Sequence, residues 1–216
     1  MSRIYKTIFI DWNGTLSSSK FWWHLEKSKN KEDRIFFEKV EKSLFGNLRE
    51  LLKPWMLGEL KSEDVISRVA KNSTLNYDKI FKEFVNSSQS MELISKDLLK
   101  IISKLRNKGA KVVIATDNMD SFTRWTYPGL KLFNHFDGFL NSHDLGAMKG
   151  HKDKNGKSLF FNEYLVSTGL KPKDSVLIDD SEDKDKIISS FGIDYLRIEP
   201  GISLASTLKG LLSNYR

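Results

Sequence analysis

Three apolar segments of this 216-residue chain end in polar side chains that could do chemistry. Asp11 follows the first segment, Thr116 ends the second, and Asp179 and Asp180 follow the third. A carboxylate can act as a nucleophile, and several carboxylates together can hold a hard cation such as Mg²⁺, which prefers oxygen ligands. A single aspartate after a strand is more often a turn or capping residue. Three polar ends on three apolar segments instead favour a shared site.

The segments that carry these residues have the pattern of buried strands. Residues 5–11, 111–116 and 175–178 are short, mostly apolar runs. Strand-like and helix-like runs alternate after residue 91, which predicts parallel pairing and an α/β, doubly wound, Rossmann-like sheet. Ligands bind at the carboxyl ends of the strands in such a sheet. The other predicted elements are strands at 136–140 and 194–198 and helices at 91–107, 119–133, 158–168, 183–190 and 203–213.

The segment between the first strand and residue 91 does not fit this alternation. Its apolar residues recur at three- and four-residue spacing among many charges, as in amphipathic helices, and strand-like runs are missing. We therefore predict a core domain formed by residues 1–16 and 91–216, with an inserted all-helical cap domain at residues 17–90. The predicted cap helices cover residues 20–29, 32–53, 62–72 and 77–87.

Four segments resemble the motifs of the haloacid dehalogenase (HAD) superfamily of hydrolases. Residues 8–16 resemble the first motif, an apolar strand followed by Asp, any residue, Asp, Gly and Thr, with Asn13 in place of the second Asp. Residues 112–116 resemble the second motif, which ends in Thr or Ser, and residues 136–149 resemble the approach to the third, which supplies a lysine. Residues 176–181 resemble the fourth motif, with its acidic pair. The resemblance implies a HAD-type core with a helical cap.

The resemblance also implies a magnesium-dependent hydrolase of a small phosphorylated substrate, most simply a phosphatase. Asp11 would attack phosphorus and form an aspartyl-phosphate, which divides one difficult displacement into two easier steps. Attack of one anion on another needs neutralising charge, which Mg²⁺ would supply. By resemblance, the magnesium ligands are the Asp11 carboxylate, the backbone carbonyl of Asn13, and Asp180, with Asp179 nearby.

The superfamily also assigns residues to the phosphoryl group. By resemblance, the hydroxyl of Thr116 and the backbone amide that follows it, at Asp117, would hold phosphoryl oxygens. A lysine would stabilise Asp11 and the charge that develops during the reaction. These groups complete the set of catalytic and substrate-binding positions that the resemblance implies.

The identity of the active-site lysine stays open at this point. Lys149 has the expected approach and is favoured, but Gly150 replaces the usual proline and a polar loop follows at 151–157. Lys152 or Lys157 in that loop could serve instead. Asp183, three residues after Asp180, either orients the metal ligands or caps the next helix.

Asn13 is the main departure from the superfamily pattern. An amide cannot exchange the proton that an aspartate at this position transfers, and general acid–base catalysis typically contributes ~10²–10⁴-fold. We favour a hydrolase with a good leaving group or an acid borrowed from the cap. Two alternatives are a catalytically weakened phospho-ligand-binding protein and a phosphonatase- or dehalogenase-type hydrolase. The run from Phe21 to His24 is either a substrate-facing aromatic wall, with His24 as the acid, or part of the cap core.

The composition excludes several other classes. The net charge is +7 and the pI about 9.3, but the lysines are spread along the chain, which favours a solvated surface over a nucleic-acid partner. The absence of cysteine excludes disulfides, cysteine nucleophiles and thiolate metal sites. The four histidines are not spaced as ligand pairs, which argues against a zinc site. No apolar run approaches the ~20 residues that a membrane-spanning helix needs, and the N-terminal segment does not have the pattern of a signal peptide. We therefore expect a cytoplasmic enzyme, whose partner, by resemblance, is a small phosphorylated molecule.

Overall fold

The computed structural model describes residues 3–198 and 204–215. Its five strands are β1 (Thr7–Ile10), β2 (Lys111–Thr116), β3 (Gly138–Asn141), β4 (Ser175–Asp179) and β5 (Asp194–Arg197). All four neighbouring pairs are parallel, and the strand order is β3-β2-β1-β4-β5. The order reverses at β1, which confirms the predicted α/β, doubly wound, Rossmann-like core.

The strand register brings three strand ends to one level of the sheet. Ile10, the last residue of β1, lies opposite Ile114 of β2 and Ile178 of β4. The backbone N–H of Asp11 then donates to the carbonyl of Ile178 over 2.9 Å. Because the three strands are parallel and in step, the polar residues that follow them must converge at the same edge.

Alternate residues of each strand pack on opposite faces of the sheet. On one face, Ile8, Val112 and Val176 contact a cluster that includes α6 (Asp97–Asn107) and α11 (Leu204–Leu212). On the other face, Phe9 and Leu177 pack against a cluster around α9 (Asn162–Ser167) and α10 (Ile187–Ser190). The central strands are therefore buried on both sides, as their continuous apolar sequences predict.

The cap has its own hydrophobic core, built from five α-helices. The cap helices are α1 (Trp23–Glu26), α2 (Lys31–Glu41), α3 (Leu52–Met56), α4 (Ser62–Ser73) and α5 (Tyr77–Gln89). Trp22, Trp55 and Phe84 are completely buried in this core, together with aliphatic residues of α4. Burial of each such side chain contributes roughly 1.5–3 kcal/mol. The predicted helices at 62–72 and 77–87 are thus confirmed.

One predicted helix is broken in the structure, and another begins later than predicted. In place of the single helix predicted at 32–53, the structure has α2, a π-helical turn at Lys42–Asn47, a 3₁₀ turn at Arg49–Leu51, and α3. Gly46 and Asn47 have low helix propensity and lie at the break. The helix predicted at 91–107 begins only at Asp97, because Leu93 instead forms a β-bridge with Ser17 where the chain enters the cap.

Other predicted helices are also shorter than predicted or are interrupted. The helix predicted at 119–133 contains a π-helical turn at Phe122–Thr126 and ends after α7 (Tyr127–Gly129), and a 3₁₀ turn follows at Leu132–Asn134. The helix predicted at 158–168 begins at Asn162, because residues 158–161 form a turn closed by the Ser158 hydroxyl. Residue 203, the first of the predicted C-terminal helix, lies outside the described residues.

The cap rests on the segment that follows β2. Met119 belongs to the hydrophobic cluster of the cap, and Trp125 packs edge-on against Phe81 and Phe84 of α5, with ring centroids 5.7 Å apart in both pairs. In the part of the chain that the structure describes, no helix is long and apolar enough to cross a membrane.

Candidate active site

Three aspartates meet at the carboxyl edge of the sheet. Asp11 and Asp179 are 5% and 2% exposed, whereas Asp180 is open to solvent. One carboxylate oxygen from each of the three lies within 4.8 Å of the others. Such a group of oxygen ligands suits a hard divalent cation. The strand order and register predict this convergence, since β1 and β4 are neighbours.

A lysine bridges two of these carboxylates. The Nζ of Lys149 lies 2.8 Å from Oδ1 of Asp11 and 2.5 Å from Oδ2 of Asp179, and its side chain is 11% exposed. Its backbone N–H donates to Oδ1 of Asp117 over 2.9 Å, so Asp117 fixes the loop that carries it. Among the described residues, no hydrogen bond or ion pair joins Lys152 or Lys157 to Asp11. The geometry therefore favours Lys149 as the active-site lysine.

Burial and charge have opposite effects on the pKa values in this cluster. Burial raises the pKa of Asp11 to about 7, with Asp179 adding to the shift and Lys149 opposing it. Burial also acts to raise the pKa of Asp179, but Lys149 and the backbone N–H of Ser181 outweigh it and lower that pKa. The two carboxylates in turn raise the pKa of Lys149 against the effect of its own burial. Lys149 therefore keeps its positive charge beside Asp11.

The loop after β1 has room for Asp180 only because it contains a glycine. Gly14 has a φ of +79°, and a Cβ built on it would lie 2.3 Å from Oδ2 of Asp180. Any side chain at this position would collide with that carboxylate and would also strain the backbone. Gly14 thus lets Asp180 lie against the loop that begins at Asp11 and includes Asn13, whose side chain is exposed.

The donor set fits the magnesium ion implied by the resemblance. The candidate ligands are all oxygens, which magnesium prefers over nitrogen or sulfur. Next to them, Oγ1 of Thr116 is buried and has no hydrogen-bonding partner among the described residues. A buried hydroxyl without a partner is costly, typically by ~1–3 kcal/mol. An anionic ligand at this edge of the sheet would satisfy it.

Two other sequence hypotheses are resolved by the contacts. Asp183 accepts hydrogen bonds from the backbone N–H groups of Ile188 and Ser189 and from the Ser189 hydroxyl, so it caps the helix that follows. His24 lies 2.9 Å from Glu83 within the cap and does not line the cavity beside Asn13. The structure therefore gives no support to His24 as the acid that replaces an aspartate at position 13.

A cavity of about 510 Å³ opens between the β1 loop and the cap. The core contributes Asn13 and Gly14, and α2 and the turn after it contribute Glu41 and Phe45. Of the run from Phe21 to His24, Phe21 lines the cavity, whereas Trp22 belongs to the cap core. The other lining residues are Ser17, Ser18, Ser19, Lys20, Met91, Asn118 and Met119.

The sequence did not indicate the residues that join the cap to the core. Asp120, only 4% exposed, accepts hydrogen bonds from Nε1 of Trp55 (2.7 Å), the hydroxyl and backbone N–H of Ser62 (2.6 and 3.2 Å), and Nη1 of Arg124 (2.8 Å). Arg124 also pairs with Glu63 of the cap. In the sequence Asp120 is one polar residue in a helix-like stretch, and nothing there marks it as a junction.

Comparison with solved structures gives many chains of the same fold. A HAD family enzyme from Bacteroides thetaiotaomicron matches with a TM-score of 0.63 and 16% identity, over 92% of this chain and 96% of that one. The same protein has been crystallised with magnesium and inorganic phosphate. A predicted HAD-like hydrolase from Porphyromonas gingivalis matches with a TM-score of 0.65 and 17% identity, over 97% of this chain and 98% of that one.

A haloacid dehalogenase also shares the architecture. The L-2-haloacid dehalogenase of Xanthobacter autotrophicus matches with a TM-score of 0.62 and 11% identity, over 96% of this chain and 88% of that one. No protein-family model and no curated protein matches the sequence. The similarity is thus one of structure, over nearly the full length of both chains. The chain has the fold of the HAD superfamily, as its four sequence motifs predict.

Proposed function

We propose that the protein is a magnesium-dependent hydrolase of a small phosphorylated substrate, with Asp11 as the nucleophile. The observation that carries the proposal is the arrangement of Asp11, Lys149 and Asp179 at the sheet edge, where one buried lysine contacts both carboxylates. Asp180 completes a group of three carboxylates close enough to share one cation. The fold, and the magnesium and phosphate bound to the Bacteroides protein, support the same chemistry.

Different residues have different roles in the proposed reaction. Asp11 attacks phosphorus and forms an aspartyl-phosphate, which water then hydrolyses. The ammonium of Lys149 offsets the charge that develops on the phosphoryl oxygens, and the hydroxyl of Thr116 and the backbone amide of Asp117 hold two of them. Asp11, the Asn13 carbonyl and the Asp179–Asp180 pair would hold magnesium, which would supply positive charge that reduces the repulsion of one anion by another.

A second candidate function is a phospho-ligand-binding protein with little or no turnover. Asn13 is the observation in its favour, because an amide cannot exchange protons with a leaving group or a water molecule. A dehalogenase-type reaction is less well supported, although a dehalogenase shares the fold. The acidic pair and the unpartnered Thr116 hydroxyl suit a metal and a phosphate better than a halogenated acid.

A panel of phosphate esters assayed with Mg²⁺ separates these candidates. We expect wild-type hydrolysis that disappears with a chelator and in Asp11→Asn. If the wild type turns over no ester while Asn13→Asp does, the protein is a binder.

A further inference from the structure

The proposed reaction needs a proton donor that the β1 loop does not provide. When the bond from phosphorus to an alkyl oxygen breaks, the alcohol leaves as a strongly basic alkoxide unless an acid protonates it. Asn13 cannot do so. The ammonium of Lys149 already contacts Asp11 and Asp179, and Asp117 holds the backbone of Lys149. The donor must therefore come from another element that lines the cavity beside Asn13.

The cavity beside Asn13 offers one carboxylic acid from the cap. Glu41 is the only carboxylic acid among the described residues that line it. The surrounding walls are mostly apolar and include Phe21, Phe45 and Met91. Because Asn13 and Gly14 also line this cavity, it connects the nucleophile loop to the cap. A leaving group that points away from Asp11 would enter this space.

The local structure leaves the Glu41 carboxylate available. Glu41 is the last residue of α2, where the helix changes to the π-helical turn at Lys42–Asn47. Its neighbours Phe37 and Val40 are anchored in the cap core. Glu41 itself is partly buried, and no hydrogen bond or ion pair is found for its side chain within the described residues. Its carboxylate is therefore free to contact a ligand in the cavity that it lines.

We propose that Glu41 is the general acid and base that replaces an aspartate at position 13. This proposal rests on the proposed function. In the first step an Asp11 oxygen bonds to phosphorus, the bond to the leaving oxygen breaks, and the Glu41 carboxyl proton moves to that oxygen. In the second step Glu41 takes a proton from water, the water oxygen bonds to phosphorus, and the bond to Asp11 breaks. Phosphate leaves, and both carboxyl groups return to their starting states.

The test compares two substrates that differ in their need for an acid. Benzyl phosphate releases a weakly acidic alcohol, whereas 2,4-dinitrophenyl phosphate releases a stable phenolate that needs no proton. We expect Glu41→Gln to lower kcat/KM for benzyl phosphate by ~10²–10³-fold, within the range typical of a general acid. On dinitrophenyl phosphate, kcat/KM should change by less than about 3-fold. A burst of dinitrophenol should appear, because without Glu41 to activate water the aspartyl-phosphate is hydrolysed slowly.

Matched variants separate this role from a structural one. Glu38→Gln removes an exposed carboxylate one turn earlier on the same helix and should leave both substrates unaffected. Parallel losses on both substrates in Glu41→Gln would overturn the proposal, as would no loss on either. So would a wild type that hydrolyses dinitrophenyl phosphate but not benzyl phosphate. If Asp11→Asn keeps wild-type activity or the wild type cleaves neither ester, the proposed function itself fails.

Discussion

Two aspartates with nearly the same burial have opposite environments. Asp11 at the sheet edge is 5% exposed and Asp120 at the cap junction is 4% exposed. Burial raises the pKa of Asp11 to about 7, and Lys149 opposes this shift without removing it. The pKa of Asp120 is lowered, because hydrogen bonds from Ser62, Arg124 and Trp55 outweigh its burial. Lys149 thus compensates the buried charge of Asp11 only in part, whereas the carboxylate of Asp120 is fully hydrogen-bonded.

This difference assigns different roles to the two residues. A buried charge that its own protein leaves partly uncompensated is a common feature of catalytic sites. A carboxylate surrounded by donors instead fixes the groups that donate to it, which at Asp120 come from Trp55 and Ser62 of the cap. Asp11 should therefore matter for chemistry and little for stability. Asp120 should matter for stability and cap position.

The largest expected effect is the loss of activity in Asp11→Asn. Removal of a catalytic nucleophile typically costs ~10⁴–10⁶-fold in kcat. The free energy of unfolding should change by less than about 1 kcal/mol, because the amide fills the same space and Lys149 keeps its contact with Asp179. Steady-state assays and chemical denaturation measure the two quantities. A large loss of stability in this variant would break the contrast with Asp120.

Magnesium should stabilise the folded protein only through the aspartate cluster. Ligand binding to the native state alone adds RT ln(1 + [L]/Kd), about 2.7 kcal/mol at a hundredfold excess over Kd. We expect the melting temperature of the wild type to rise with Mg²⁺ and to fall back with a chelator. The rise should be lost in Asp180→Asn. An equal rise in that variant would place the ion elsewhere.

Asp120→Asn should destabilise the fold while the catalytic groups stay intact. Loss of charge-assisted hydrogen bonds at a buried site costs about 2–3 kcal/mol, which lowers the melting temperature by roughly 5–10 °C in a chain of this size. Asp78→Asn, an exposed aspartate of α5, is the matched control and should change stability by less than about 0.5 kcal/mol. Thermal unfolding compares the two. Equally small losses of stability in the two variants would show that Asp120 does not hold the cap to the core.

A smaller effect should appear on acidification. Because the pKa of Asp120 is lower in the folded state than in the unfolded chain, its contribution is complete above the unfolded pKa of about 3.9 and is lost as pH falls through the folded pKa. The stability difference between wild type and Asp120→Asn should therefore be constant between pH 7 and 5 and narrow below about pH 4. Denaturant titrations at several pH values test this. A difference that widens on acidification would contradict it.

The convergence of polar residues at the sheet edge could be predicted from the sequence because local patterns determine it. Apolar runs specify the buried strands, and Asp11, Thr116 and the Asp179–Asp180 pair follow them directly. Parallel pairing then brings the strand ends together without further information. Lys149 could be favoured from the motif spacing, and the contacts of its side chain with Asp11 and Asp179 favour it further over Lys152 and Lys157.

The cap could be predicted only as helices. How a cap helix faces the core depends on packing between residues far apart in sequence, so neither Glu41 nor Asp120 could be recognised in advance. The hypothesis that His24 supplies the acid gains no support for the same reason, because His24 contacts Glu83, which lies on a helix 59 residues away.

The most direct test of the central claim is to trap the phosphorylated nucleophile. Protein mixed with Mg²⁺ and dinitrophenyl phosphate is quenched in acid within milliseconds, digested, and analysed by mass spectrometry. We predict one phosphoryl group on the peptide that contains Asp11, absent from Asp11→Asn and from samples with a chelator. Turnover without an adduct on Asp11, or an adduct on a different residue, would contradict the account.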